Sequence, residues 1–200
     1  LADVRTVLVG GGPTPSGLLH RCQALGIHVH TSWGMTDSAS QIGTRVMGDT
    51  ELDSHVGPPM PFADVTIREG LLHVDGPLMN APLLTQDMGC IDAGGRITVL
   101  GRADDVILTS GHKVHPSIVE SHFEGIAGVV KCCAVGFPND AWGEVVVLVV
   151  ELHGQTNDAA VLGALIERIR DMSAPQRPRR LFLVNALPIN EMSKVRRNLL

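Results

Sequence analysis

The 200 residues carry a net charge of −5, with 44% hydrophobic and 18% charged side chains. That is the composition of an ordinary soluble globular protein, able to bury one large core or two small ones. No apolar run approaches a membrane span, and aromatic residues at 3% are too few for stacking on nucleic acid.

The chain opens "LADVRTVLV", without methionine and almost directly in a strand, so it is expected to be a piece of something longer. No basic segment followed by an apolar one marks a secretory signal, and the cytoplasm is the expected compartment. "RTVLVGG" is predicted as a buried strand. "SGLLHRCQALG" is predicted as a helix, with Ser16 as N-cap and Gly26 as its stop. "IHVHTSW" is the next strand. Together they form a β-α-β unit, whose loops emerge where α/β folds bind ligands. The loop after the second strand is "GMTDSAS".

Between the first strand and the helix lies "GGGPTPSG", which can be tested against two phosphate-binding loops. Gly12 and Gly17 have the P-loop spacing, but Leu18 stands where the lysine is required. Gly10 and Gly12 fit the dinucleotide fingerprint, but Pro15 occupies the third glycine and no acidic residue follows at the ribose distance. On these residues alone the stretch is a tight strand-to-helix turn.

The Pro/Gly-rich "VGPPMPF" ends this unit. "ADVTIREGLLHVDGP" and "GCIDAGGRITVLGR" then alternate around Glu69–Gly70 and Gly94–Gly95, as hairpins of a small antiparallel sheet or barrel do. From Asp105 the texture changes again. "DVILTSGHKV" reads as strand, glycine turn, strand. "HPSIVESHFEGIAGV" reads as a helix burying Ile118, Val119, His122, Phe123 and Ile126. "KCCAVGF" and "EVVVLVVEL" read as strands. "NDAAVLGALIERIRDM" reads as an amphipathic helix with Val161, Leu162, Leu165, Ile166, Ile169 and Met172 at helical spacing, and "RRLFLVNALP" as a last strand. The expected fold is α/β plus α+β: residues 1–103 form one unit and residues 104–200 a second, small α+β domain.

Cys22, Cys90, Cys132 and Cys133 make no C-x-x-C pair, which favours reduced buried thiols. Neither His28 with His30 nor His112 with His115 completes a metal ligand set. From Arg168 to Leu200 there are eight Lys/Arg and two Asp/Glu, a net +6 against −11 for the remainder. This is a solvated basic face or a site for phosphates.

Five stretches, in order, resemble the core motifs of the adenylate-forming enzymes: "GGGP", "SWGMTD", "LLTQDMG", "GRADDVILTSGHKVHPSIVE" and "LPINEMSKVRR". The family comprises acyl-CoA synthetases, luciferases and peptide-synthetase adenylation domains. The resemblance implies a ligase that joins a carboxylic acid to AMP and passes the acyl group to coenzyme A, using ATP and Mg²⁺. Residues 1–103 would then be the end of the large AMP-binding domain, and residues 104–200 its small mobile partner.

Residue by residue, the resemblance makes Gly10, Gly11, Gly12 and Pro13 the adenine-side loop. Trp33, with Gly34 and Met35, becomes the adenine-stacking segment, and Thr36 the phosphate-contacting hydroxyl. Asp37 takes the Mg²⁺ position usually held by Glu. Asp87 becomes the ribose acceptor, with Gln86 in place of a glycine, and Arg102 the ribose-contacting arginine. Asp104 stands at the interdomain hinge, and Gly111 in the turn that lines the pantetheine tunnel, with His112 where many members have glycine. Lys194 bridges carboxylate and α-phosphate, with Ser193 in place of a glycine. The family's Ser/Thr/Gly-rich loop and its lysine are not among these residues.

"GGGPTP", "SWGMTDSASQIGT", "GRITVLGRAD" and "LFLVNALP" are similar to the o-succinylbenzoate–CoA ligases of menaquinone biosynthesis. That likeness implies an aromatic carboxylic acid seated against Ser38, Ala39 and Ser40. The implied partners are small molecules, with no nucleic acid or membrane span, and a homo-oligomer is compatible.

Overall fold

The computed structural model describes residues 4–45, 55–77, 79–154, 158–191 and 193–200. It divides into two compact units, Leu1–Asp104 and Asp105–Leu200.

In the first unit, β1 (Val7–Val9) runs through α1 (Ser16–Ala24) into β2 (Val29–Met35), and the two strands pair in parallel. β3 (Ser40–Thr44) returns antiparallel to β2. Ser16 is the first helical residue, not the cap. Pro15 holds the N-cap position, and no side chain caps the helix. The first turn instead opens on a pre-set proline, whose missing N–H costs nothing at that place. Gly26, at φ +69°, follows the helix end as expected.

Four strands follow as an antiparallel meander: β4 (Asp64–Arg68), β5 (Leu71–Asp75), β6 (Leu83–Ile91) and β7 (Ile97–Arg102). The β4–β5 turn is Glu69–Gly70, both at positive φ, as a two-residue hairpin demands. At the β6–β7 turn the Asp92 carboxylate accepts from the backbone N–H groups of Gly94 and Arg96. Both sheets share one core: Trp33 and Ile42 from the first, and Leu72, Val74 and Ile97 from the second.

The second unit holds β8 (Ile107–Thr109), β9 (His112–Val114), α2 (Pro116–Ser121), β10 (Val129–Asn139), β11 (Gly143–Leu152), α3 (Asp158–Asp171) and β12 (Arg180–Val184). β11 is central: it pairs antiparallel with β10 and parallel with β12, and touches β8 at Gly143. Its unbroken apolar run is buried on both faces, the expected reading of such a run. Val146, Leu148 and Val150 meet Val119, Phe123, Val161 and Leu165. Val145, Val147 and Val149 meet Cys133 and Leu187.

The two helices differ from expectation in detail. α2 stops at Ser121, after which turns lead to Gly125. Phe123 and Ile126 reach the core from those turns, whereas Ile118 and His122 are only half-buried. On α3, Val161 and Leu165 are buried, as is Met172 just past its end, but Leu162 and Ile166 face outward. One helix face cannot reach the sheet over so wide a stripe. The predicted start of this helix at residue 157 lies outside the described residues. All four cysteines are free thiols, but Cys90 is exposed and Cys22 half-buried; only Cys133 is fully buried.

Candidate functional site

β1 and β2 run parallel, so their carboxyl ends leave the sheet on the same edge. Gly10–Pro13 follows β1, and Thr36–Ser38 follows β2 as a single 3₁₀ turn. The two segments meet through Ser32, whose hydroxyl donates to Val9 O at 3.2 Å. A side chain on Gly10 would strike that hydroxyl at 2.5 Å.

Gly34 is required by crowding: a Cβ there would stand 1.7 Å from Ser40 O. This close approach bends β2 into the turn. The Ser38 hydroxyl holds the bend, its one proton shared between Met35 O and Ser40 O, both at 2.9 Å, while its oxygen accepts from Met35 N at 3.2 Å. Its hydroxyl is thereby spent on the loop. Ala39 at φ 53° and Ser40 at φ 117° are exposed in strained backbone. Thr36 and Asp37 stand exposed at the tip of the turn. Asp37 offers one hard carboxylate, which suits Mg²⁺ bound through one carboxylate and substrate phosphates. No group of three His, Cys, Asp or Glu among the described residues could hold a metal.

Trp33 is 7% exposed, with its ring in the core shared by the two sheets. Its Nε1 donates to Asp87 Oδ2 at 2.8 Å. Asp87 sits on β6 directly opposite Arg102 on β7, and Arg102 Nη1 lies 3.9 Å from Asp87 Oδ1. The rest of the guanidinium forks onto Asp104, at 3.1 and 3.2 Å. These hydrogen bonds hold the Asp104 carboxyl below its ordinary range, against slight burial. The structure therefore brings Trp33, Asp87, Arg102 and Asp104 into one connected chain of contacts.

In the second unit, Lys194 belongs to a tight hairpin. Its N–H donates to Asn190 Oδ1, and its carbonyl accepts from Asn190 N, both at 2.9 Å. Ser193 occupies φ 60°, the conformation that explains a glycine at this place. Lys131 Nζ donates to Ser193 O at 3.2 Å. The Leu187 N–H donates to Glu151 Oε2 at 2.8 Å and fixes the stem. Lys194 itself is exposed.

Three features escaped the sequence reading. Arg197 is the first. Its guanidinium meets Glu120, Asp105, Ala134 O and Cys133 Sγ, and those partners hold it firmly protonated against the cost of burial. The second is the fate of the other C-terminal arginines. Arg168 and Arg177 bind backbone carbonyls, while Arg179 and Arg180 lie over Trp142 and Phe137 at 4.4 and 5.4 Å. These four arginines are thus each engaged by a carbonyl or an aromatic ring. The third is a cavity of about 270 Å³ beside the Ser110–Gly111 turn, lined by Thr109, Ser110, His112, Trp142, Pro175 and Arg179. Its open turn needs Gly111, at φ 79°. Burial pushes the Cys132 and Cys133 thiols up to about 12, so neither serves as a nucleophile near neutral pH. Among the described residues no helix is long and apolar enough to cross a membrane.

Residues 119–194 match the AMP-binding enzyme C-terminal domain. A 2-succinylbenzoate–CoA ligase of Geobacillus kaustophilus is 31% identical, the match covering 96% of this chain and 45% of the relative. The o-succinylbenzoate CoA synthetase of Bacillus subtilis, solved with the acyl-adenylate intermediate OSB-AMP, superposes with a TM-score of 0.86 at 28% identity, covering 98% of this chain and 45% of that one. The same synthetase solved with ATP and a magnesium ion gives 0.84 at 27% identity, covering 97% and 46%. The chain spans about half the length of the relatives it matches.

Proposed function

We infer that this chain, which belongs to the adenylate-forming enzymes and corresponds to their C-terminal half, serves an ATP-dependent acid–CoA ligase that converts o-succinylbenzoate to its coenzyme A thioester through an acyl-AMP. One observation carries the reading. The Trp33–Asp87 hydrogen bond ties the meander's carboxylate to β2, the strand that also carries the Thr36–Ser38 turn.

In this reading Gly10–Pro13 and the Trp33–Met35 segment flank adenine, and Asp87 with Arg102 receives the ribose. Thr36 contacts phosphate and Asp37 ligates Mg²⁺, which neutralises phosphate charge when bound. Ala39 and Ser40 face the aromatic acid. Lys194 stabilises charge developing at the α-phosphate, a preorganised cation acting on the transition state. Asp104 is the hinge between residues 1–103 and 104–200. Coenzyme A is supported by the cavity beside Gly111, where Arg179 over Trp142 offers a cation and an aromatic face to a nucleotide. The substrates are small molecules, and the cytoplasm is the compartment this reading proposes.

The test is a thermal-shift series with AMP, coenzyme A and a non-hydrolysable o-succinylbenzoyl-AMP analogue. A larger stabilisation by the analogue than by AMP is expected. A benzoyl-AMP analogue that stabilises equally well would reassign the acid, and silence toward all of them would remove the ligase reading.

A further inference from the structure

The cavity beside the Ser110–Gly111 turn has walls from separate parts of the second unit. One is the β8–β9 hairpin, with Thr109, Ser110 and His112; another is Trp142, at the tip of the β10–β11 hairpin. The spacing of these two hairpins sets what the cavity can take. β8 is only three residues long, and it meets β11 at a single backbone pair, Thr109 with Gly143. So short a hairpin keeps its place only when tied to something larger.

Two hydrogen bonds tie it. The Ser110 N–H donates to Trp142 O at 2.9 Å, and the Leu108 N–H donates to Glu144 Oε2 at 2.7 Å. The second differs in kind. The backbone ladder between β8 and β11 ends at Thr109 and Gly143, and a side-chain carboxylate carries it one residue further. That carboxylate has a seat. Gly136 lies on β10 diagonal to Glu144, whose direct partner is Pro138. A Cβ on Gly136 would stand 2.6 Å from Glu144 Oε1 and 2.9 Å from its Cδ. Gly136 does not adopt positive φ, so its lack of a side chain serves space alone.

We propose that Glu144 is a positioning residue for the cavity beside Gly111. Seated on Gly136, its carboxylate holds Leu108, and with it the Ser110–Gly111 turn, at the distance from Trp142 at which coenzyme A is received. This rests on the reading of that cavity as a coenzyme A site. A hydrogen bond to a charged acceptor shifts a local equilibrium by about tenfold or more. A wall that is in place for a smaller fraction of the time weakens binding by that fraction.

The experiment joins amide hydrogen exchange with calorimetric titration by coenzyme A, on the whole chain, for wild type, Glu144→Ala, Glu144→Gln and Gly136→Ala. In Glu144→Ala the Leu108 N–H should exchange about tenfold faster and coenzyme A should bind about tenfold more weakly. The Leu148 N–H, in the middle of β11, should keep its protection. Glu144→Gln still offers a carbonyl to Leu108 and should recover most of both. The Ala and Gln variants lose the same charge, so the difference between them reads the hydrogen bond and not a general attraction or repulsion. Gly136→Ala keeps the charge but fills the seat, and should resemble Glu144→Ala; it carries the comparison should Glu144→Ala not fold. Wild-type affinity for coenzyme A in Glu144→Ala would overturn the proposal, as would a Leu108 N–H that exchanges no faster. Loss of protection at Leu148 together with Leu108 would make Glu144 a residue of general stability and overturn it too. A wild type that protects Leu108 but does not bind coenzyme A would instead remove the coenzyme A reading of the cavity, and the proposal with it.

Discussion

The Arg197 guanidinium forks onto the Glu120 carboxylate, Nη1 to Oε1 at 2.6 Å and Nη2 to Oε2 at 3.2 Å, across 77 residues of chain. Glu120 also accepts from Ala134 N at 2.8 Å, so helix α2, strand β10 and the segment just past Lys194 share one knot. Arg197→Ala leaves a largely buried carboxylate without its cation. A loss of about 2–3 kcal/mol is expected, somewhat below that for a fully buried pair because Arg197 keeps some exposure. Arg197→Lys should recover little, since an ammonium cannot serve both carboxylate oxygens at once. Urea unfolding of the three proteins checks this; a Lys variant as stable as wild type would argue against the fork.

Gly34→Ala should be among the most damaging single-methyl changes in the first unit. The added carbon would overlap Ser40 O, which is backbone and has little room to yield. About 3 kcal/mol is expected. Gly163→Ala is the matching control: it lies in helix α3 with nothing within 4 Å of an added carbon. It should gain about 0.5–1 kcal/mol from helix propensity alone. Equal effects of the two substitutions in thermal unfolding would contradict the packing described for Gly34.

The second unit should weaken in mild acid because of His115. Burial, and then the Lys113 charge, hold its imidazole below the ordinary histidine value, and its buried Nδ1 has no hydrogen-bond partner. In the window between the folded value and about 6.5, the unfolded chain binds more protons. This contribution is therefore complete above about pH 7 and declines as pH falls through 6.5. Asp104, held low by Arg102, acts only in the more acid carboxylate range. Comparing urea midpoints at two pH values on either side of 6.5 should show a drop that His115→Gln reduces. A drop of the same size in the variant would assign it elsewhere.

On the proposed ligase reading, Lys194→Ala in the full-length protein should slow acyl-AMP formation by about 10²–10³ while sparing thioester formation from supplied acyl-AMP. In that reading substrate KM should change less than kcat, because a cation acting mainly as charge develops adds little to ground-state binding. Single-turnover assays of each half-reaction separate the two. Parallel losses would make Lys194 a structural or coenzyme A contact.

Much of the architecture follows from short stretches read alone. The β-α-β unit, the hairpins at Glu69–Gly70 and Gly94–Gly95, and the glycine turn at Ser110–Gly111 are written in apolar runs and turn residues, whose steric demands act over a few positions. The order of the motif residues from Gly10 to Lys194 is legible in the same way. Other features depended on which side chains meet in space. No local pattern places the Trp33 indole on Asp87 or Arg197 on Glu120, and the spacing of α3 does not tell that Leu162 and Ile166 face outward while Val161 and Leu165 go in. Periodicity reports that a face is apolar. How wide a stripe is covered, and which carboxylate a distant donor finds, is decided when sheets and helices pack and most buried polar groups find a partner.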